Sequence, residues 1–169
     1  MAHLANELTT GGLMQNVMIV DDEEDIVQLM SETLNLWGYH PVTAHDGEEA
    51  LQKFQCEPID LVITDLKLPK VNGVNLLNKI KDIDNSTEVI MFTGYPEVGS
   101  AIDAMKNGAF DYLTKPVDLN ELRLKVERGL EKKNMGKSMR TLRGINWAMI
   151  ISIPIWLSLG VWIAYVITQ

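Results

Sequence analysis

The sequence predicts an α/β fold: a doubly wound, five-stranded parallel sheet with five helices, followed by one C-terminal transmembrane helix. Two observations lead to this prediction. Apolar runs rich in β-branched residues alternate with segments of helical periodicity five times over residues 16–130, which is typical of parallel sheets with right-handed crossovers. Nearer the C-terminus, the 24 residues 145–168 include no charged side chain.

The first strand and helix are followed by a short strand that suits the edge of the sheet. Residues 16–20 form an apolar run, and residues 26–37 carry apolar side chains at helical spacing. Gly38 follows at the position where glycine commonly ends a helix. Residues 39–44 predict the second strand, in which Pro41 favours an edge position because proline cannot donate a hydrogen bond to a neighbouring strand.

The rest of the alternation centres on the third strand, an apolar run closed off by Pro69. Gly108 marks the end of the fourth helix, and Asp118 is a suitable cap for the fifth. In chain order, the predicted elements are a helix over 46–54, a strand over 59–65, a helix over 71–80, a strand over 88–93, a helix over 98–107, a strand over 109–116 and a helix over 118–130.

Carboxylates follow two of the predicted strands. Asp21 and Asp22 come directly after the first strand, and Asp65 ends the third. Because ligands bind at the carboxyl ends of strands in open α/β sheets, these three side chains should converge if the two strands are neighbours. For the next three acids, residues 23–25, we prefer the alternative that they only complement the dipole of the following helix.

Three converging carboxylates require a cation. At an effective dielectric constant near 20, two like charges about 4 Å apart repel by roughly 4 kcal/mol. The ligands on offer are hard oxygens with no cysteine or histidine nearby in the sequence, and such donors favour Mg²⁺ over zinc. Since Mg²⁺ commonly links one or two carboxylates to phosphate, these residues predict a site for phosphate chemistry.

Charge divides the chain into two parts. Residues 1–130 contain 10 Lys and Arg against 22 Asp and Glu, whereas residues 131–169 contain five against one. The acidic body argues against nucleic-acid binding, which needs clustered Lys and Arg. The single cysteine, Cys56, excludes a disulfide framework within the chain and a cysteine metal site.

Four short segments at the predicted strand ends resemble the receiver domain of two-component response regulators, and the resemblance covers about 16–132. It implies a sheet with strand order 2-1-3-4-5. The run 104–116 is similar in particular to receivers attached to enhancer-binding transcription activators. The four segments are Val20-Asp21-Asp22-Glu23, Thr64-Asp65-Leu66-Lys67-Leu68-Pro69 followed by Gly73, Phe92-Thr93-Gly94, and Tyr112-Leu113-Thr114-Lys115-Pro116.

The resemblance implies that Asp65 is the phosphoacceptor, and a carboxylate suits this role because it is already ionised at neutral pH and needs no general base. Asp22 and Asp65 would hold Mg²⁺ directly, together with the backbone carbonyl of Lys67, while Asp21 would act through water. Lys115 would contact the phosphoryl oxygens. Mg²⁺ and Lys115 together would neutralise the charge on the transferring group.

The resemblance also implies a switch. Thr93 would hydrogen-bond the new phosphoryl group, Tyr112 would move inward behind it, and the surface formed by the fourth helix, fifth strand and fifth helix would change. Receivers carry a cis peptide bond before the proline that stands here as Pro116. Lys67 and Tyr95 occupy the positions that tune access of water to the phosphoryl group, and we expect both to slow hydrolysis.

The sequence disfavours two other functions. A haloacid dehalogenase-type phosphatase also uses an aspartate nucleophile at a strand end, but it needs a second acid two residues further on, where this sequence has Lys67. A scaffold that keeps the fold without phosphorylation is disfavoured by the intact acidic residues and Lys115.

The chain is predicted to have four segments: a loose leader over 1–15, the receiver domain over 16–132, a basic juxtamembrane linker over 133–144 and the transmembrane helix over 145–168. As a helix, 24 residues extend about 36 Å, enough to cross a hydrocarbon layer of ~30 Å. The basic residues before the span put the receiver on the cytoplasmic side of the cell inner membrane by the positive-inside rule; they are Lys132, Lys133, Lys137, Arg140 and Arg143.

Together these features predict a membrane-tethered, stand-alone receiver. It would accept a phosphoryl group on Asp65 from a sensor histidine kinase or a histidine phosphotransfer protein and signal to a membrane-proximal partner, with no role in nucleic-acid binding. The alternative is a phosphorelay carrier or phosphate sink without a dedicated effector. Gly160 and Ala164 have the small-residue spacing that lets membrane helices pair, so a homodimer through this helix or through the receiver is left open.

Overall fold

The computed structural model describes residues 14–94 and 98–135. Its elements alternate between strand and helix in the predicted order, and the described part of the fifth helix, α5, spans 119–135. The preceding elements are β1 Asn16–Val20, α1 Glu24–Leu36, β2 His40–Ala44, α2 Gly47–Cys56, β3 Leu61–Thr64, α3 Gly73–Ile83, β4 Glu88–Thr93, α4 Val98–Lys106 and β5 Asp111–Thr114.

All five strands join one parallel sheet in the order β2-β1-β3-β4-β5, which confirms the predicted topology. Pro41 lies in β2, at an edge of this sheet, as its missing N–H group requires. Gly38 and Gly108 follow α1 and α4 with φ angles of +86° and +90°, a conformation that glycine adopts without strain.

Two apolar layers cover the faces of the sheet, and alternate residues of β1 contribute to each. Met18 and Val20 belong to one layer, together with side chains of α2, α3 and α4. Val17 and Ile19 belong to the other, together with side chains of α1 and α5. Alternation along a strand sends successive side chains to opposite faces, so the sheet is buried on both faces and only its two ends remain open to ligands.

The register of the sheet brings the strand ends together. Val20 at the end of β1 pairs with Thr64 at the end of β3, so the acids that follow each strand emerge side by side. Thr93 at the end of β4 pairs with Thr114 at the end of β5, and Lys115 comes next. The chain therefore delivers its predicted site residues to one edge of the sheet.

The C-terminal part of the chain forms a separate unit, and the boundary between the two compact units lies between Lys133 and Asn134. Within the two described ranges, no helix is both long enough and apolar enough to cross a membrane. The predicted span over 145–168 lies outside the described residues, as do most of the predicted leader and most of the basic linker.

Lys133 differs from its predicted place at the start of the linker. The structure includes it in α5, with only 4% of its side chain exposed. Its ammonium group donates to the Ile59 carbonyl at 2.5 Å and to the Thr87 hydroxyl at 2.9 Å. A buried lysine needs such oxygen partners, and sequence periodicity shows neither the burial nor the partners.

Candidate functional site

The acidic side chains are held at the ends of β1 and β3 by the sheet itself. The N–H of Asp21 donates to the Ala44 carbonyl at 3.2 Å, and the N–H of Asp65 donates to the Val20 carbonyl at 2.9 Å. These bonds continue the parallel ladder one residue beyond each strand. Both side chains are therefore fixed by backbone pairing, and both are buried.

Asp21, Asp22 and Asp65 converge as predicted. One carboxylate oxygen from each lies within 4.8 Å of the others, and this set can hold a metal ion. Asp22 is exposed while the other two are buried, so the cluster is open to solvent on one side. An ion or a phosphoryl group could enter from that side.

Asp21 is the most enclosed member of the cluster, with 1% of its surface exposed. Its Oδ1 accepts a hydrogen bond from the Glu23 N–H at 3.0 Å. Its Oδ2 lies 2.6 Å from Lys115 Nζ, an ion pair at short range. Burial raises the pKa of the Asp21 carboxyl above its usual value, although Lys115 opposes the shift.

Lys115 is the positive centre of the site. Its Nζ lies 3.0 Å from Asp65 Oδ2 and 3.0 Å from Glu23 Oε1, in addition to its contact with Asp21. The Phe92 ring is also close to Lys115, with the ammonium group 5.3 Å from the ring centroid. Burial lowers the pKa of Lys115, but the three carboxylates outweigh burial and hold the pKa above its usual value, so the side chain is charged at neutral pH.

The loop after Asp65 donates a backbone hydrogen bond to the Asp65 carboxylate. The N–H of Lys67 donates to Asp65 Oδ1 at 3.1 Å, and the N–H of Gly73 donates to the Leu66 carbonyl at 2.9 Å. A Cβ atom at Gly73 would lie 2.1 Å from the Asp65 carbonyl oxygen. Glycine is therefore required for α3 to begin this close to the acidic residue.

The donor set fits Mg²⁺. All three side chains offer hard oxygens, which magnesium prefers. Asp21, Asp65 and Glu23 share the one ammonium group of Lys115, so negative charge remains that a divalent cation would offset. The role of the Lys67 backbone carbonyl as a further ligand stays a prediction.

The predicted switch residues lie on the neighbouring strands. Thr93 ends β4 and is fully buried, and its carbonyl accepts from the N–H of Lys115 at 2.8 Å. Tyr112 in β5 is half-buried against the layer formed with α2, α3 and α4. The Lys115–Pro116 peptide bond is cis, as the resemblance implied. Tyr95 lies outside the described residues.

Glu23 is a site residue that the sequence analysis did not identify. It was expected only to complement the dipole of α1. The structure places it at the N-cap of α1, where its side chain makes no capping hydrogen bond and contacts Lys115 instead. The available signal was its position directly after Asp22, which equally fits a dipole role.

Comparison with known proteins agrees with this geometry. The family model for the response regulator receiver domain matches residues 17–127. The regulatory protein AtoC of Escherichia coli is 36% identical over 129 residues, which cover 76% of this chain and 28% of AtoC. The response regulator protein PilR of Pseudomonas aeruginosa is 42% identical over 120 residues, which cover 71% of this chain and 27% of PilR.

A solved structure is similar over nearly its whole length. The response regulator receiver domain protein of Clostridium thermocellum is 37% identical with a TM-score of 0.69, and the match covers 72% of this chain and 98% of that one. In contrast, the chain spans less than a third of the length of AtoC and PilR. The match is thus to their receiver portion, and this chain belongs to the response regulator receiver domain family.

Proposed function

We propose that this chain is a membrane-tethered, stand-alone receiver that accepts a phosphoryl group on Asp65. One observation carries the assignment of the acceptor: Lys115 Nζ meets the carboxylates of Asp21 and Asp65, at 2.6 and 3.0 Å, where Asp22 also converges. Receiver domains of response regulators interact with sensor kinases or phosphotransfer proteins. A phosphohistidine of such a partner is the proposed donor.

Asp65 is the proposed nucleophile. One of its oxygens forms a bond to phosphorus while the N–P bond of phosphohistidine breaks, and the imidazole nitrogen keeps the electron pair. Oδ1 already accepts from the N–H of Lys67, whereas Oδ2 faces Lys115. We infer that Oδ2 is the attacking oxygen, because it lies beside the positive charge.

The surrounding residues supply binding and charge. Asp21, Asp22 and Asp65, with the Lys67 carbonyl, would hold Mg²⁺, and the bound ion would offset the negative charge of the transferring group. Lys115 provides a second positive charge and is aimed by its ion pairs with Glu23 and Asp21. Lys115 lies beside Asp65, so the same residues would serve uptake and hydrolysis of the phosphoryl group.

The proposed output is a change of surface. Thr93 would donate to the phosphoryl group, and Tyr112 would move further into the space behind it, so that α4, β5 and α5 present a different face. Lys67 and Tyr95 would shield the phosphoryl group from water. If Lys67→Ala and Tyr95→Ala leave the phosphoryl lifetime unchanged, the shielding proposal is wrong.

The membrane part of the proposal rests on the uncharged residues 145–168 and the basic stretch before them. We infer a single span in the cell inner membrane with the receiver on the cytoplasmic side. AtoC and PilR are named as regulatory proteins, but the proposed output of this chain is contact with a partner near the membrane. Homodimer formation through the span or the receiver fits the same arrangement.

Labelling with acetyl phosphate tests the acceptor. The full chain in detergent should gain one phosphoryl group in the presence of Mg²⁺, and Asp65→Asn should abolish the gain, as measured by intact-mass spectrometry. Asp82→Asn, which removes an exposed carboxylate on α3, is the matched control and should label like the wild type. Equal labelling of Asp65→Asn and wild type would exclude Asp65 as the acceptor.

A membrane pull-down separates signalling from the carrier or sink alternative. A partner that is captured by wild type after acetyl phosphate treatment, and lost with Asp65→Asn, supports signalling. Phosphoryl uptake with no change in any membrane partner supports the carrier or sink. Absence of Mg²⁺-dependent labelling in every chain would support a scaffold without phosphorylation.

A further inference from the structure

The point at which the chain leaves the receiver unit is defined by Lys133. This residue is the last of the first compact unit, and its buried ammonium group contacts Ile59 and Thr87. Ile59 lies just before β3 and Thr87 just before β4. The exit is therefore at the end of the sheet where the strands begin, which we call the strand-start edge.

Asp65 lies at the other end of β3. Asp65 is the sixth residue after Ile59. An extended strand rises about 3.3 Å per residue, which gives roughly 20 Å between Ile59 and Asp65. The parallel order of all five strands extends this separation to the whole sheet. The acidic site and the chain exit thus occupy opposite ends of the receiver unit.

Three carboxylates at the strand-start edge, those of Asp60, Asp84 and Glu88, pair with lysines. Lys133 Nζ lies 3.8 Å from Asp60 Oδ1 and 3.6 Å from Asp84 Oδ2. The carboxylate of Glu88, which is buried at the start of β4, pairs with Lys81 at 3.4 Å and Lys132 at 2.9 Å. These pairs offset the charge of three acids where β3 and β4 begin.

Large apolar side chains are exposed at the same edge. Met14 precedes β1, Leu36 is the last residue of α1 and Ile83 is the last residue of α3. Helices in a parallel α/β fold run back toward the strand starts, so both helix ends point to this edge. The exposed fractions are 58% for Met14, 86% for Leu36 and 50% for Ile83, and none of them contributes to either apolar layer.

We propose that the strand-start edge is the membrane-facing surface of the receiver, with Met14, Leu36 and Ile83 in contact with the lipid headgroup layer. This inference rests on the proposed membrane span. Residues 136–144 provide nine residues between the described end of α5 and the span, which reach at most about 32 Å when extended. The acidic site then faces the aqueous side, where a phosphohistidine donor can reach Asp65 without crossing the headgroup layer.

A spin label on Cys56 tests the orientation in the full chain. Cys56 is the only cysteine of the sequence, is exposed and ends α2 at the strand-start edge. The matched label is on Glu24→Cys in a Cys56→Ser background, because Glu24 is exposed at the start of α1 on the acidic side. Vesicles of phosphatidylcholine and phosphatidylglycerol carry a nickel-chelating lipid that relaxes nearby labels.

We expect the nickel lipid to cause a loss of signal amplitude at Cys56 and little or none at Glu24→Cys. Leu36→Glu combined with Ile83→Glu should abolish the loss at Cys56, because two charges would repel the edge from the headgroups. Ile102→Glu, on the exposed face of α4, is the control and should leave the loss unchanged.

Flotation of the same samples separates the possible failures. A chain that floats with the vesicles but shows equal relaxation at both labels, or stronger relaxation at Glu24→Cys, overturns the orientation and leaves the tether standing. An unchanged loss in the double glutamate variant overturns the role of the two apolar side chains. A chain that does not float overturns the tether and the orientation together.

Discussion

At the residue scale, the chemistry of the site depends on one lysine that contacts several carboxylates. Lys115 contacts Asp21, Asp65 and Glu23 within 3.0 Å. Three acids and one cation leave an excess of negative charge, while burial raises the pKa of the Asp21 carboxyl against the opposing effect of Lys115. A divalent ion would remove this excess, which explains why a site of this composition favours Mg²⁺.

Replacing Lys115 with alanine should slow Mg²⁺-dependent phosphorylation of Asp65 by about 10²-fold, in the range seen when one preorganised charge partner is removed from a transfer site. Lys79→Ala, on the exposed face of α3, should leave the rate unchanged. The measurement is the rate of mass gain with acetyl phosphate. A Lys115→Ala rate equal to the wild type would remove Lys115 from the transfer chemistry.

Gly73→Ala should destabilise the protein by about 1–3 kcal/mol, the usual cost of overpacking, because the new methyl group would meet the Asp65 carbonyl oxygen at 2.1 Å. Gly99→Ala in α4 is the matched control, since a Cβ there meets nothing within 4 Å. That change should stabilise by about 0.5–1 kcal/mol through helix propensity. Urea unfolding measures both, and equal effects of the two changes would contradict the close approach.

At the scale of the elements, α5 is fastened to the start of the sheet by a buried lysine. Lys133 reaches from α5 to the segments before β3 and β4, while its neighbour Lys132 makes an ion pair with Glu88 from a largely exposed position. The two lysines are adjacent in sequence but differ in burial. They therefore allow the effect of removing a buried lysine to be compared with the effect of removing a largely exposed one.

Lys133→Met should lower the free energy of unfolding by about 1–3 kcal/mol, because buried oxygens of Ile59 and Thr87 lose their donor. Lys132→Met should cost less than Lys133→Met, because the Lys132 side chain is largely exposed and Lys81 remains to pair with Glu88. Chemical denaturation of the two variants at neutral pH provides the comparison. A larger loss from Lys132→Met would show that Lys133 is not the anchor.

Asp84, in the loop between α3 and β4, should contribute to the free energy of unfolding when it is ionised. This contribution should be lost in acid. Burial raises the pKa of Asp84, but hydrogen bonds from Ser86 and Thr87 and the charge of Lys133 outweigh it and lower the pKa to about 2 from its ordinary 3.8. Because the folded-state pKa is depressed, the stabilisation is complete above the ordinary value and disappears as pH falls toward 2.

Asp84→Asn tests this component. The difference in unfolding free energy between wild type and Asp84→Asn should be constant near neutral pH and shrink as the pH falls from 3.8 toward about 2. It should be roughly 1 kcal/mol at most, since the partly exposed side chain is screened by solvent. A difference that grows in this acid range would reverse the sign of the predicted linkage.

At the scale of the whole molecule, the parallel sheet gathers chemistry at one end and the chain exit at the other. Every strand delivers its C-terminal residue to the acidic edge. The helices return the chain to the strand-start edge, and α5 anchors there through Lys133. A signal at Asp65 would therefore reach the proposed membrane side only through the body of the fold, which is consistent with an output surface on α4, β5 and α5.

Binding of Mg²⁺ should stabilise the whole receiver. At a concentration ten times its Kd, a ligand that binds only the folded state adds about 1.4 kcal/mol. Thermal unfolding of the full chain in detergent should shift upward with MgCl₂ and return with EDTA, and Asp22→Asn should reduce the shift because it removes one carboxylate of the cluster. An equal shift for wild type and Asp22→Asn would exclude Asp22 as a ligand.

Most of the fold could be predicted because its signals are local. Apolar runs, helical periodicity and the turn residues Gly38 and Gly108 each report on backbone geometry within a few residues. The convergence of Asp21, Asp22 and Asp65 followed from placing two strands side by side, since parallel strands end at a common edge. The chain by itself thus determined the five strand–helix units and the acidic end of the sheet.

Tertiary structure alone decided where the long side chains go. Glu23 meets Lys115 across 92 residues of sequence, and Lys133 meets Ile59 across 74. A lysine or glutamate side chain has several rotatable bonds, so its partner depends on which oxygens or nitrogens the packed elements bring within reach. Periodicity reports which face of a helix is buried, but it carries no information about such distant partners, and for that reason the anchor of α5 required the structure.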